Sequence, residues 1–178
     1  MNTFLFKLIN DNRNPVLDFI STVISSYLFI ALAILLVMLY ILFSPRIIHK
    51  TRTMALIILA VCFNFLLVNV ISKNIVFSPR PYTVLENVHV LGIIQRDSTL
   101  PSSHVSLAAS VLIALVWYNP FLWPWLFFIL IMGWSRIYNG MHWPGDILLG
   151  IMTGFVSVWI SFLILKPFHF PGLLERKE

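Results

Sequence analysis

The chain has 178 residues, 59% hydrophobic and only 11% charged, whereas a soluble domain carries about 25% charged residues. This composition excludes an ordinary soluble protein and indicates a polytopic membrane protein, because apolar stretches of roughly twenty residues recur and each can cross a hydrocarbon core of about 30 Å. The net charge of +5 does not indicate a nucleic-acid-binding protein, since the basic residues lie at helix ends and in short clusters. Cys62 is the only cysteine, which excludes an intrachain disulfide and a thiolate metal site.

Five membrane spans are predicted, preceded by one short helix. Residues 3–10 form an amphipathic segment that we expect to lie on the membrane face, and Pro15 separates it from the first span. The spans are predicted at 17–43, 53–76, 103–118, 121–137 and 146–165. Gly150 and Gly154 give the last span a face of small residues, which favours close helix packing. Residues 1–178 are therefore predicted to be a single all-α membrane domain.

The basic residues outside the predicted spans indicate how the protein is oriented in the membrane. They lie after the first span and in the C-terminal tail, at Arg46, Lys50, Arg52, Lys166, Arg176 and Lys177. Both groups fall on one side of a five-span bundle, which the positive-inside rule makes cytoplasmic. The loop near 78–102 and the turn near 138–145 then open on the opposite, periplasmic or extracellular, side.

The first of three polar clusters contains Lys73 and Arg80. On a continuous helix these residues lie two turns apart and share a face. Pro79 predicts a helix end near Phe77, and the two flanking prolines hold Arg80 in a stiff setting suited to clamping a phosphate. Snorkelling of Lys73 to the membrane surface is the alternative interpretation.

The second cluster, Pro101-Ser102-Ser103-His104, precedes an apolar run. Ser102 or Ser103 is predicted to cap the third span, where free backbone N–H groups favour an anion, and His104 falls in the first helical turn. A plain helix cap followed by an interfacial histidine is the simpler interpretation of this cluster alone.

The third cluster joins Ser135-Arg136, at the end of the fourth span, to His142 and Asp146. Asp146 follows His142 by four residues at a helix start, and contact between them would fix the imidazole tautomer and leave the outer ring nitrogen free for attack. A structural Asp–His hydrogen bond that closes a turn is the alternative, but it does not explain the neighbouring Arg136.

Together the three clusters resemble the type 2 phosphatidic acid phosphatase (PAP2) superfamily, over residues 73–146. The resemblance implies that His142 is the nucleophile, Asp146 its orienting carboxylate, and His104 the general acid and then the base. It implies a phosphate site built from Lys73, Arg80, Arg136, Ser102 and Ser103, with no metal and no cofactor. Ser103 stands where the family commonly has glycine, so its side chain is expected either to crowd the phosphate or to donate a hydrogen bond to it.

The function implied by the resemblance is that of a small bacterial integral-membrane lipid phosphatase whose site faces the periplasm or exterior. Undecaprenyl diphosphate and lipid A 1-phosphate are the favoured substrates, and phosphatidylglycerol phosphate and phosphatidic acid are alternatives. A lipid phosphotransferase that uses the same phosphohistidine, or a small transporter, remains open. The loop near 82–100 is either a solvated surface loop or a lid, and the oligomeric state is left open.

Overall fold

The computed structural model describes residues 2–74, 77–95 and 97–168, except for the side chains of 72–74, and this part of the chain contains helices and no strand. A 3₁₀ helix over Pro120–Leu126 continues into α7. The α-helices in chain order are α1 (Thr3–Asn10), α2 (Pro15–Ile24), α3 (Tyr27–Phe43), α4 (Lys50–Asn74), α5 (Pro81–Val84), α6 (Ser103–Tyr118), α7 (Phe127–Tyr138) and α8 (Pro144–Leu165).

Several of these helices are long and apolar enough to cross a membrane. Three segments meet this condition among the described residues, Lys50–Ile71, Pro120–Tyr138 and Pro144–Leu165, and the bent pair α2–α3 makes a fourth if it is taken as one span. The apolar helix α6 has 16 residues, which corresponds to about 24 Å. Outward-facing apolar side chains such as Leu36, Phe65 and Leu148 are exposed, as expected for a lipid-facing surface. The predicted all-α membrane bundle is confirmed.

The first span predicted at 17–43 is broken in the structure, because a bend of 57° separates α2 from α3. Ser26 begins a new helix at the bend, since its hydroxyl accepts a hydrogen bond from the backbone N–H of Phe29 at 3.2 Å. The hydroxyl of Ser25 lies 2.5 Å from that of Ser135 on α7. Ser26 thus satisfies a backbone N–H that the break leaves free, and Ser25 connects the break to α7.

Helices α4, α6 and α8 pack together and form the core that carries the site. The small-residue face predicted on α8 lies against α6. A Cβ atom at Gly154 would approach the Cβ of Ala109 to 2.6 Å and the carbonyl oxygen of Ser106 to 2.7 Å. Glycine at this position therefore sets how closely α8 approaches the first turns of α6.

The short helix α1 has the predicted bounds and braces the loop between α7 and α8. Its buried Phe6 packs against Trp143, with ring centroids 5.2 Å apart. The amide nitrogen of Asn10 donates to the carbonyl oxygens of His89 and Tyr138, both at 2.8 Å. Phe4 and Leu8 remain exposed on the other face, which is consistent with a membrane-surface helix.

Replacing Gly154 by alanine should lower the thermal stability of the detergent-solubilised protein by several degrees, because overpacking of this kind costs about 1–3 kcal/mol. Gly145→Ala is the matched control on the same helix, since no heavy atom lies within 4 Å of an added Cβ there. Equal midpoints for the two variants in a thermal unfolding experiment would contradict the close α6–α8 contact.

Candidate active site

His142 lies in the short loop between α7 and α8, buried at the wall of a polar cavity. Its Nδ1 atom is 2.9 Å from the backbone carbonyl oxygen of Thr99. Because a carbonyl oxygen only accepts hydrogen bonds, Nδ1 carries the proton of the neutral ring and Nε2 keeps its lone pair. The backbone of another loop thereby selects the tautomer.

Asp146, in the first turn of α8, is buried behind this imidazole. Its Oδ2 atom lies 3.4 Å from His142 Nδ1, so the predicted approach of the two residues is present. The same oxygen accepts shorter hydrogen bonds from the backbone N–H of Trp143 at 2.7 Å and from the hydroxyl of Thr99 at 2.5 Å. Asp146 is therefore connected to His142 both directly and through the hydroxyl of Thr99.

The surroundings of His142 favour the uncharged imidazole. Burial is the main cause that lowers the pKa of His142 from 6.5 to about 4, Asp146 acts in the opposite direction, and the positive charges of Arg136 and Arg80 add to the lowering. The ring is consequently neutral at pH 7, with the Nε2 lone pair available.

Arg80 is buried at the start of α5, between the two prolines that the sequence analysis singled out. Its Nη1 donates to the carbonyl oxygen of Met141 at 3.2 Å, and its Nη2 lies 2.7 Å from Oδ1 of Asp97. The carbonyl oxygen of the preceding Pro79 accepts a hydrogen bond from the indole of Trp143 at 2.9 Å. These contacts hold the guanidinium beside the loop that carries His142.

Three polar atoms of the predicted phosphate-site residues are buried without a hydrogen-bond partner among the described residues. They are the Nε atoms of Arg80 and Arg136, whose side chains line the cavity, and the hydroxyl of Ser102, which is not among the lining residues. Arg136 lies in the last turn of α7. Ser102 is the N-cap residue of α6, but its hydroxyl does not form the predicted capping bond. Buried donors are rarely left unsatisfied, and these three belong to residues expected to hold an anion.

His104, in the first turn of α6, lines the same cavity as His142. The ring of Tyr27, which follows the α2–α3 bend, packs against it, with centroids 5.0 Å apart. Ser103 lines the same cavity, and its hydroxyl is 3.5 Å from His104 Nδ1. The serine at the usual glycine position therefore faces the cavity beside the second histidine.

The cavity has a volume of about 120 Å³ and brings the three predicted clusters together. The predicted residues that line it are Arg80, Ser103, His104, Arg136 and His142. Asp146 lies behind it. The side chain of Lys73, near the end of α4, lies outside the described part of the structure, so its predicted place in the phosphate site stays a prediction.

A sequence profile of the PAP2 superfamily matches residues 52–169. The chain belongs to the PAP2 superfamily. It is 32% identical over 94% of its length to the undecaprenyl-diphosphatase BcrC of Bacillus subtilis (strain 168), of which it covers 88%. It is 27% identical over 91% of its length to a protein of Bacillus licheniformis named bacitracin transport permease protein BcrC, of which it covers 79%.

A solved structure shows the same architecture. The chain matches that of Aquifex aeolicus LpxE with a TM-score of 0.69 and 25% sequence identity, over 90% of this chain and 94% of the other. Together with the spans and the relatives above, this likeness identifies a membrane-bound lipid phosphatase of the PAP2 superfamily.

Three residues of this PAP2 site were not predicted from the sequence: Thr99, Asp97 and Tyr27. Thr99 is fully buried and contacts both His142 and Asp146, through its carbonyl oxygen and its hydroxyl. Its one sequence signal is position, two residues before Pro101. Asp97 belongs to a loop whose charges suggested a solvated surface, and Tyr27 follows a bend that hydrophobicity does not reveal.

Thr99→Val should lower the turnover of this phosphatase by about tenfold to a hundredfold, because a buried carboxylate that loses a donor costs about 1–3 kcal/mol. Thr99→Ser keeps the hydroxyl and should retain most of the activity. The variants are compared by kcat at saturating substrate, with the melting temperature as a control for folding. Equal activity of the valine and serine variants would contradict the positioning role of this hydroxyl.

Proposed function

We propose that this protein hydrolyses undecaprenyl diphosphate to undecaprenyl phosphate and inorganic phosphate. The observation that carries the proposal is the pair of buried donors without a partner among the described residues, Arg80 Nε and Arg136 Nε, on two arginines that line the cavity together with His142. A phosphoryl group supplies acceptor oxygens for both. The substrate is proposed from the relative that matches nearly the whole chain and is named an undecaprenyl-diphosphatase.

In the proposed mechanism, Nε2 of His142 attacks the terminal phosphorus. The bond between that phosphorus and the bridging oxygen breaks, a P–N bond forms, and His104 donates a proton to the departing lipid phosphate. Water then attacks the phosphohistidine and gives a proton to His104, and the P–N bond breaks to release phosphate. Phosphoryl transfer of this kind depends mainly on positioning and on charge stabilisation.

The remaining residues supply that positioning and charge. Arg80, Arg136 and Lys73 neutralise the phosphoryl oxygens, and Ser102 and Ser103 donate hydrogen bonds to them. Asp146 and Thr99 keep the proton of His142 on Nδ1, so that Nε2 faces the phosphorus. We propose that these cations replace a metal ion, so no metal or cofactor takes part.

An apolar crevice next to the polar cavity supports a lipid substrate. The crevice has a volume of about 350 Å³ and lies between α3, α6 and the 3₁₀–α7 segment. On α6 it includes Leu107 and Ala108, one turn from His104, and on α7 it includes Met132, one turn from Arg136. We propose that a chain attached to a phosphate beside His142 lies along this crevice and continues into the surrounding lipid.

A panel of phosphorylated lipids tests the substrate proposal. Purified protein in EDTA should release phosphate fastest from undecaprenyl diphosphate, and more slowly from lipid A 1-phosphate, phosphatidylglycerol phosphate and phosphatidic acid. His142→Ala should lose at least about a thousandfold in turnover, because it removes the nucleophile. His49→Ala, which changes an exposed histidine far along the chain from the three clusters, is the control.

The outcomes of this panel distinguish the alternatives. Phosphate release that requires an added acceptor would favour a lipid phosphotransferase. A transporter is the other alternative, because the Bacillus licheniformis relative is named a transport permease. Full activity of His142→Ala, or a strict requirement for a divalent metal, would overturn the proposed mechanism.

We also propose that the protein resides in a bacterial cytoplasmic membrane with its site on the outer face. Lys50 begins α4, and the loop that carries Arg80 follows the other end of this 25-residue helix, about 37 Å away along its axis. The basic residues near Lys50 and the site therefore lie at opposite ends of a span. The positive-inside rule assigns the Lys50 end to the cytoplasm.

Cysteine labelling in intact cells tests this orientation. In a Cys62→Ser background, Glu86→Cys should react with a membrane-impermeant maleimide, whereas Arg46→Cys should react only after the cells are permeabilised. Both native side chains are exposed, so burial does not limit the reaction. The reverse pattern would place the site in the cytoplasm.

A further inference from the structure

Arg80 and Arg136 are in different electrostatic situations, although both line the cavity. The guanidinium of Arg80 is in an ion pair with Asp97, at 2.7 Å. Among the described side chains, Arg136 has no carboxylate partner. One of the two arginines is therefore already occupied by an anion of the protein itself.

The loop around Asp97 holds this carboxylate close to Arg80. The backbone N–H and carbonyl of Gln95 are bonded to the hydroxyl of Tyr82 at 2.9 and 2.6 Å. On the other side, the hydroxyl of Ser98 accepts a hydrogen bond from the backbone N–H of Ser78 at 3.2 Å. Asp97 thus lies between two anchored residues, and the anchors are on the segment that carries Arg80.

The two side chains of the Arg80–Asp97 ion pair differ in solvent exposure. Another anion can therefore replace Asp97 at Arg80 at little cost. The side chain of Arg80 is 4% exposed, whereas that of Asp97 is 67% exposed. A carboxylate so well solvated gains little by leaving water, so its ion pair is weak. A phosphoryl group offers several charged oxygens to both arginines at once and binds the same guanidinium more strongly.

We propose that Asp97 is an internal competitor for Arg80, which weakens the binding of phosphate and so favours release of the product. This inference rests on the proposed phosphate site. A phosphoryl group that reaches Arg80 displaces Asp97, and the carboxylate returns to the arginine when phosphate leaves. The negative charge at the rim of the cavity also repels a second anion while the first is bound.

Inhibition by inorganic phosphate and by orthovanadate measures this competition. Asp97→Asn keeps the size of the side chain and removes its charge, so the inhibition constants of both anions should fall about fivefold. Asp97→Glu, which keeps the charge, should remain closer to the wild type. Glu86→Gln removes one charge from the same loop at an exposed residue that does not line the cavity, and it should leave both constants unchanged.

A second readout is independent of catalysis. Phosphate should raise the melting temperature of Asp97→Asn more than that of the wild-type protein at the same concentration, because tighter binding gives greater stabilisation. If Asp97 only balances the charge of Arg80 in the fold, the asparagine variant will melt lower without phosphate and its inhibition constants will not fall.

The results separate this inference from the proposed function. If phosphate and vanadate bind the wild-type protein and the asparagine variant equally, or bind the variant more weakly, the role of Asp97 is refuted while the phosphate site stands. If neither anion inhibits or stabilises the wild-type protein, the phosphate site itself is refuted, and the inference is refuted with it.

Discussion

The hydrogen bond from Nδ1 of His142 to the carbonyl oxygen of Thr99 is the interaction on which the site depends. It joins the loop that precedes α6 to the loop that precedes α8. Further bonds join the loops before α5 and α6 to the segment 141–146: Arg80 to the carbonyl of Met141, Trp143 to the carbonyl of Pro79, and the N–H of Ser102 to the carbonyl of Asp146. Because each acceptor here is a backbone oxygen, the path of the main chain itself orients the imidazole of His142.

These loops can hold such a geometry because the helices beneath them are packed closely. Gly150 and Gly154 bring α8 against the first turns of α6, where Ser102 and His104 lie. The buried arginines oppose this packing, since burying a charge without full compensation costs free energy. Their positive charges also favour the neutral form of His142. The same positive charges thus keep the imidazole of His142 unprotonated and would be compensated by the anion that we propose binds in the cavity.

The sequence predicted the parts of the fold and site that depend on periodicity and spacing. The bounds of α1, the approach of Asp146 to His142 and the tight face of α8 follow from such patterns and are present. The bend between α2 and α3 escaped prediction because two serines between apolar stretches are equally compatible with helix packing inside one span. Thr99 escaped prediction because its contact with His142 is made by its backbone carbonyl oxygen, a group that every residue type has. Asp97 escaped because an acidic residue in a long loop is ordinarily solvated.

The bend connects the membrane portion of the protein to the polar cavity. At the bend, Ser25 contacts Ser135 on α7, and Tyr27 packs on the imidazole of His104. Beyond it, α3 diverges by 57° and packs against α4, and the apolar crevice lies between α3, α6 and α7. The first residue of α3 therefore contacts His104, and the following residues of the same helix line the crevice. The break therefore links the group proposed as the acid to the space proposed for the lipid chain, so that a phosphate beside His142 and a chain in the membrane can belong to one molecule.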